Sequence, residues 1–269
     1  MRVSTTRPPV ALSIAGSDPS GGAGIQADLK SFAARGAYGT AVITALTAQN
    51  TQGVTGVVGV EPAFIRQQLR TLFDDIRPDA VKVGMVGSAG IAAAVVEGLS
   101  DYTGPVVVDP VMVATSGAVL LQPEAEATLR DRLVPRATLA TPNIPEAKRL
   151  LGGEAPEDWA ARTGVALLLK DGHNTAASVS DRLILPDGTV HRFDHPRVDT
   201  RNTHGTGCSL SSAIAAELAA GATLPAAVAA AIDWLATVIA ASATHTLGGG
   251  HGPLLHGERV RARFSDPTG

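Results

Sequence analysis

Cysteine is nearly missing from this chain: among 269 residues Cys208 is the only one. No intrachain disulfide can form, which fits a reducing compartment. An excess of either charge is missing too, since 22 Lys and Arg stand against 25 Asp and Glu. A net charge of -3 gives no general electrostatic case for binding nucleic acid or an anionic membrane, so any anion must be gripped by local structure. Long uninterrupted apolar runs are also absent. The opening "MRVSTTRPPVALSIAGSD" has too short an apolar stretch for a signal-peptide core. "TLPAAVAAAIDWLATVIAASAT" is alanine-rich and broken by Asp233, which predicts a packed helix rather than a membrane span. No linker, charge block or repeat divides the chain. One soluble, cytoplasmic domain over residues 1–269 is expected, with 45% hydrophobic residues to fill its core.

Strand-like and helical runs alternate through most of the sequence. "VALSIAG" precedes a helical stretch from about Gly24 to Gly36, with Ile25, Leu29, Phe32 and Ala33 on one face. Then come "TAVITALTAQ", the helix "PAFIRQQLRTLFDDI", "DAVKVGMVG", the helix "AGIAAAVVEGL" and "PVVVDPVMV". A helix around "PEAEATLRDRLV" leads to "ATLATPN", "PEAKRLLG" and "VALLLKDG". Near-continuous apolar strands between amphipathic helices predict an α/β fold whose mainly parallel sheet is covered on both faces. Beyond Lys170, Asp187-Gly188 marks a hairpin turn, and two alanine-rich helices separated near Gly221 close the chain. Ligands are expected at the carboxyl ends of the strands.

Two nucleotide signatures fail there. No Gly-Lys-Ser/Thr follows the first glycine-rich loop, which excludes a P-loop. Gly22, Gly24 and Ala27 in "GSDPSGGAGIQA" satisfy G-x-G-x-x-[GA], but the loop is long and no acid follows the second strand, where Gln49 and Asn50 stand. A loop folding over a small substrate remains, with Asp28 either offered to the ligand or serving the first turn of a helix. Gln49 both donates and accepts, so it can pair with adjacent ring nitrogen and amino groups, unless it merely faces water. Asp109 and Glu146, at neighbouring strand ends, could hold Mg²⁺, although Glu146 could instead serve the start of "PEAKRLL". Lys170 adds a point positive charge, or is an exposed strand-end lysine.

Cys208 follows a Gly-Thr-Gly turn at a helix start. The amides of Gly205, Thr206, Gly207 and Cys208 are expected to be free there, as a phosphate cradle, with the helix dipole lowering the thiol pKa. The alternative is a buried small hydrophobe. His204 beside it is expected to be a solvated turn residue.

Together, "ALSIAGSDPSGGAGIQADLKSF", "GAYGTAVITALTAQNTQGV", "VVVDPVMVATSG", "TPNIPEA" and "RVDTRNTHGTGCSLSSAIAAELAAG" resemble the ribokinase-like family, specifically its hydroxymethylpyrimidine/phosphomethylpyrimidine kinases. The closing "GGGHGPLL" resembles the same family's C-terminal segment. The resemblance implies a ribokinase-like three-layer α/β/α fold, ATP and Mg²⁺ as cofactors, a small pyrimidine as substrate and a homodimer. It implies an anion hole at Gly205, Thr206 and Gly207, with Cys208 where sugar-kinase relatives carry an aspartate base. Asp109 and Glu146, with Asn143, fall in the Mg²⁺-ATP region, and Lys170 and Thr203 near the phosphates. Gln49 falls where the aminopyrimidine edge is read, with Asp28, Gly16 and Met85 around it. Three departures stand out: Thr115 and Ala118 where the family commonly has lysine and aspartate, and Asp171 for a usual glycine. A pyridoxal or pyridoxine kinase is the nearest rival; a sugar kinase fits less well, and a non-catalytic pyrimidine-binding regulator is the alternative from another class.

Overall fold

The computed structural model describes residues 7–114, 117–118, 120–171 and 178–257. Thr115 lies outside them. A nine-stranded sheet has the order β3-β2-β1-β4-β5-β6-β7-β8-β9. Its parallel centre comprises β1 (Val10–Gly16), β2 (Tyr38–Asn50), β4 (Ala80–Val83), β5 (Val106–Val108), β6 (Leu139–Ala140) and β7 (Ala166–Leu169). At one edge β3 (Gly53–Gly59) runs antiparallel to β2, and at the other β8 (Ser178–Ile184) and β9 (Val190–Pro196) form the hairpin that Asp187-Gly188 signals. Gly188 has φ 84°, and the Asp187 carboxylate accepts the Thr189 N–H at 2.9 Å.

Alternation along the central strands builds two apolar layers. Leu12, Ile14, Val81 and Val83 point to one face, under α2 (Pro62–Asp75), α3 (Ala89–Gly98), α4 (Pro123–Thr128), α5 (Ile144–Leu151) and α6 (Pro156–Thr163). Ala11, Ala80, Val107 and Leu168 point to the other, under α1 (Gly24–Ala34), α7 (Thr206–Ala219) and α8 (Leu224–Ser242). This is the three-layer α/β/α arrangement. α8 is long and apolar enough to cross a membrane, yet it lays Ala227, Val228, Ala231, Ile232 and Trp234 into the second layer.

Three elements depart from the sequence reading. β3 is Gly-Val rich and mostly exposed, so it carries no burial pattern to read. α6 was hidden inside "EAPEDWAART", where Pro156 begins the helix and Gly164 ends it at φ 71°. The helix expected around 123–134 is α4 running into a π turn, Leu129–Leu133, which Pro135, lacking an N–H, cannot continue, and then a 3₁₀ turn, Val134–Arg136.

Candidate active site

β1 delivers Gly16 to the carboxyl edge of the sheet, where a Cβ on it would sit 3.2 Å from Met85 Sδ. Thr44 fixes that neighbour by donating its hydroxyl to the Met85 carbonyl at 2.7 Å. Beyond Gly16 the loop winds around Asp18, which is buried. Its carboxylate accepts the N–H groups of Ser20, Gly22 and Ala23 at 2.9, 3.2 and 2.8 Å, the Ser20 hydroxyl at 2.7 Å, and approaches His204 Nε2 at 2.7 Å. Burial alone would raise this carboxyl, but the hydrogen bonds from His204 and Ser20 outweigh it and hold it at about 2. His204 is therefore not a solvated turn residue: it is buried, its ring packed so closely against Gly22 that a Cβ there would collide with it. Gln49 closes this end of the site, with its amide 3.4 Å from His204 Nε2.

Asp28 corrects a second expectation. It lies on the second turn of α1 with no exposed surface, and its carboxylate meets Lys82 Nζ at 2.8 and 3.0 Å, Ser13 Oγ at 2.5 Å and Ser212 Oγ at 2.7 Å. Its carboxylate is bonded to the protein on both oxygens, so it forms a core ion pair and is not a first-turn acid. Burial lowers the Lys82 ammonium, yet Asp28, Cys208 and Asp109 more than restore it, so Lys82 stays charged.

The Gly-Thr-Gly turn is built as its glycines require. Gly205, the N-cap of α7, has φ 80°, and a Cβ on it would collide with the Gly22 carbonyl. Thr206 N–H turns back to the Thr203 carbonyl at 3.3 Å, so that amide is not free, and Thr203 serves the turn through its main chain. Among the described residues, the N–H groups of Gly205, Gly207 and Cys208 meet no acceptor. A Cβ on Gly207 would lie 3.3 Å from Lys170 Nζ and 3.5 Å from Asp109 Oδ2, which sets the glycine turn beside the ammonium and the carboxylate. The thiol differs from expectation. Cys208 is partly exposed, but burial, with Asp28 and Asp109 adding to it, pushes the thiol up to about 11, and Lys82 and the Gly24 N–H offset only part. The helix start does not win against that desolvation.

Across the cleft, Asp109 Oδ1 accepts from Lys170 Nζ at 2.9 Å and from Thr141 Oγ1 at 3.1 Å. Burial works against its ionisation, but Lys170 and Lys82 hold its carboxyl below the usual range. Lys170 is mostly covered and stays charged because Asp109 and Glu146 outweigh its burial. Glu146 and Asn143 form a capping box on α5: Asn143 Oδ1 accepts Glu146 N–H and Glu146 Oε2 accepts Asn143 N–H, both at 2.9 Å. Asn143 also bridges to Lys170 through the backbone. Burial raises Glu146, and the neighbouring Asp109 adds to the rise against Lys170. Lys170 thus pairs with Asp109, and its charge also acts on Glu146 through space; the two carboxylates are hard-oxygen groups of the kind that would hold Mg²⁺. Among the described residues no three His, Cys, Asp or Glu side chains form a metal cage.

Asp171 follows Lys170 and gives its N–H to Asp181 at 2.8 Å, while the Ala118 carbonyl closes a turn with Ala114 N–H. Sequence reasoning passed over Asp18 and Lys82. Asp18 was marked by Asp-Pro-Ser-Gly-Gly, a turn in which a carboxylate gathers following amides, and Lys82 by standing inside an apolar strand.

A parallel sheet with a glycine turn bearing open amides set beside a lysine and a carboxylate at its carboxyl edge has the groups that a small-molecule phosphotransferase needs. Residues 18–255 match the family model described as phosphomethylpyrimidine kinase. The chain is 47% identical over 260 residues to the hydroxymethylpyrimidine/phosphomethylpyrimidine kinase of Rhizobium meliloti, covering 93% of this chain and 97% of that one. It is also 47% identical to the thiamine biosynthesis bifunctional protein ThiED of Geobacter sulfurreducens, with 94% of this chain aligned, but spans only 54% of that protein's length. Among solved structures it resembles the phosphomethylpyrimidine kinase of Clostridium difficile, at TM-score 0.73, 41% identity and coverage of 86% and 99%. It also resembles the pyridoxal kinase of Bacillus subtilis in an ADP complex, at TM-score 0.82, 34% identity and coverage of 93% and 98%. The chain belongs to the phosphomethylpyrimidine kinase family.

Proposed function

We propose that this chain transfers the γ-phosphoryl of ATP to the hydroxymethyl group of 4-amino-5-hydroxymethyl-2-methylpyrimidine, and then to the resulting monophosphate, for thiamine synthesis in the cytoplasm. The observation that carries it is the placement of Gly207 against both Lys170 and Asp109, with the open amides of 205, 207 and 208 beside them. A phosphoryl in flight needs alignment and charge stabilisation more than a strong base. Donors fixed by the α7 start supply the stabilisation, and Lys170 adds its charge. Asp109 and Glu146 are the residues that would hold Mg²⁺, which when bound neutralises nucleotide phosphate charge. At the opposite pole Gln49, Met85 and Gly16 would receive the ring.

Cys208 would take the hydroxyl proton in the first phosphorylation. In the second the acceptor is a phosphate already ionised at neutral pH, so the cysteine only positions it. Cys208→Ala is expected to slow phosphorylation of the alcohol by about 10²-fold or more while slowing that of the monophosphate far less. Equal loss in both would place the thiol outside proton transfer. A second reading, pyridoxal phosphorylation, is favoured by the likeness to the Bacillus subtilis enzyme. ATP-dependent turnover of the two substrates side by side separates them. A higher kcat/KM for pyridoxal would replace the first reading.

A further inference from the structure

The carboxamide of Gln49 has the same shape at both ends, so the surrounding protons decide which end faces which neighbour. As placed, Nε2 faces His204 Nε2 at 3.4 Å and Oε1 faces Thr47 Oγ1 at 3.3 Å. Other bonds have already committed both protons those contacts depend on. Asp18, ionised at working pH by its donors, lies 2.7 Å from His204 Nε2, so that nitrogen carries a proton and has no lone pair for the Gln49 amine. The single proton of Thr47 goes to the Ser17 carbonyl at 2.9 Å, so its hydroxyl offers Gln49 a lone pair and no proton. A half-turn of the amide converts both conflicts into bonds: Oε1 accepts from the shared His204 N–H, and Nε2 donates to Thr47.

We propose that Asp18, His204 and Thr47 act as positioning residues that fix the polarity of Gln49, and thereby the ring edge this chain selects. With one Oε1 lone pair taken by the His204 N–H and one Nε2 proton given to Thr47 Oγ1, Gln49 keeps a free acceptor on the His204 side and a free donor on the Thr47 side. That order matches an exocyclic amine beside a ring nitrogen. A pyridine without such an amine leaves the acceptor unpaired, which is costly in a closed site. The identity of the ligand rests on the function proposed above; the polarity of the amide does not. The Asp18–His204 pair also joins the substrate pole to the phosphoryl pole, because His204 directly precedes Gly205.

The test has a ligand-free arm and a kinetic arm. In ¹H–¹⁵N spectra of the full-length protein, His204 Nε2 is expected to be protonated at pH 7; an unprotonated Nε2 would overturn the proposal. In kinetics, His204→Phe is expected to raise the aminopyrimidine KM by about tenfold or more and to cut the aminopyrimidine-to-pyridoxal ratio of kcat/KM to match, one lost hydrogen bond being of that order, with the ATP KM within about twofold. His204→Gln, which keeps an N–H donor, is expected to recover most of the loss. A ratio unchanged in folded His204→Phe, or no recovery in His204→Gln, refutes it. Should the phenylalanine variant not fold, Thr47→Val carries the test, with a raised aminopyrimidine KM in support and an unchanged one against. Turnover of neither ring, alongside a protonated Nε2, would remove the proposed function and leave the amide polarity standing.

Discussion

At the scale of single residues, environment decides which chemistry a side chain has. Cys208 follows two glycines at a helix start, a setting that lowers thiol pKa values in the absence of other charges. Here desolvation and two carboxylates push it up to about 11. A thiol base works only when ionised, and below its pKa the thiolate fraction grows tenfold per pH unit. The rate of alcohol phosphorylation is therefore expected to climb steadily from pH 7 to 9, without a plateau, in a kcat–pH profile; a flat profile would show that the thiol is not the base. Asp28 and Lys82 give a second prediction. Removing one charge of a fully buried pair strands the other, at about 3–5 kcal/mol, whereas replacing both by apolar groups is close to neutral. Urea unfolding of Asp28→Leu, Lys82→Met and the double variant should show two large losses that do not add. Additive losses would mean that the pair is not coupled. Lys82 was legible as an anomaly within a strand, but its partner 54 residues away was not.

Among the elements, α7 carries the most consequence. Its apolar side, Leu210, Ala213 and Ile214, anchors it in the layer shared with α8, which fixes where its first amides point. Its entry turn needs Gly205 for two reasons at once, a left-handed backbone and contact with the Gly22 carbonyl. Gly205→Ala is expected to lower kcat for both phosphorylations by more than tenfold and to destabilise the chain by about 1–3 kcal/mol. Paired thermal melts and assays check this, and full activity would show that the turn can move without cost. The glycine turn and the helix behind it were readable because both are local. β3 and α6 were missed because an exposed Gly-Val strand and a short helix between Pro156 and Gly164 give weak periodicity.

For the whole molecule, acid stability reports on how distant segments are pinned to α7. His256, from the closing segment, sets Nε2 2.7 Å from Ser209 Oγ, and Ser209 in turn donates to the Gly205 carbonyl at 2.8 Å. Burial lowers its pKa from 6.5 to about 4. Between those values the unfolded chain binds the proton and the folded chain does not, so stability falls by about 3 kcal/mol as pH drops from 6.5 to 4. His256→Gln, which keeps a donor for Ser209, should flatten that window in chemical denaturation. An unchanged slope would show that His256 is not protonated on unfolding there. Asp18 acts lower: its depressed carboxyl stabilises the fold above pH 3.8, and that contribution is lost as pH falls toward 2.

The sequence by itself determined what depends on neighbours along the chain: alternating strands and helices, the glycine turn before Cys208, the hairpin at Asp187-Gly188, and the stretches that carry the family resemblance. Backbone preference and side-chain periodicity are short-range, so they can be read in order. Only the tertiary structure decided that Asp28 is sealed against Lys82, that His204 is locked to Asp18 across 186 residues, and that the thiol is high rather than low. Desolvation and Coulomb forces act through space, and their balance at each group is fixed only when segments remote in sequence are packed together.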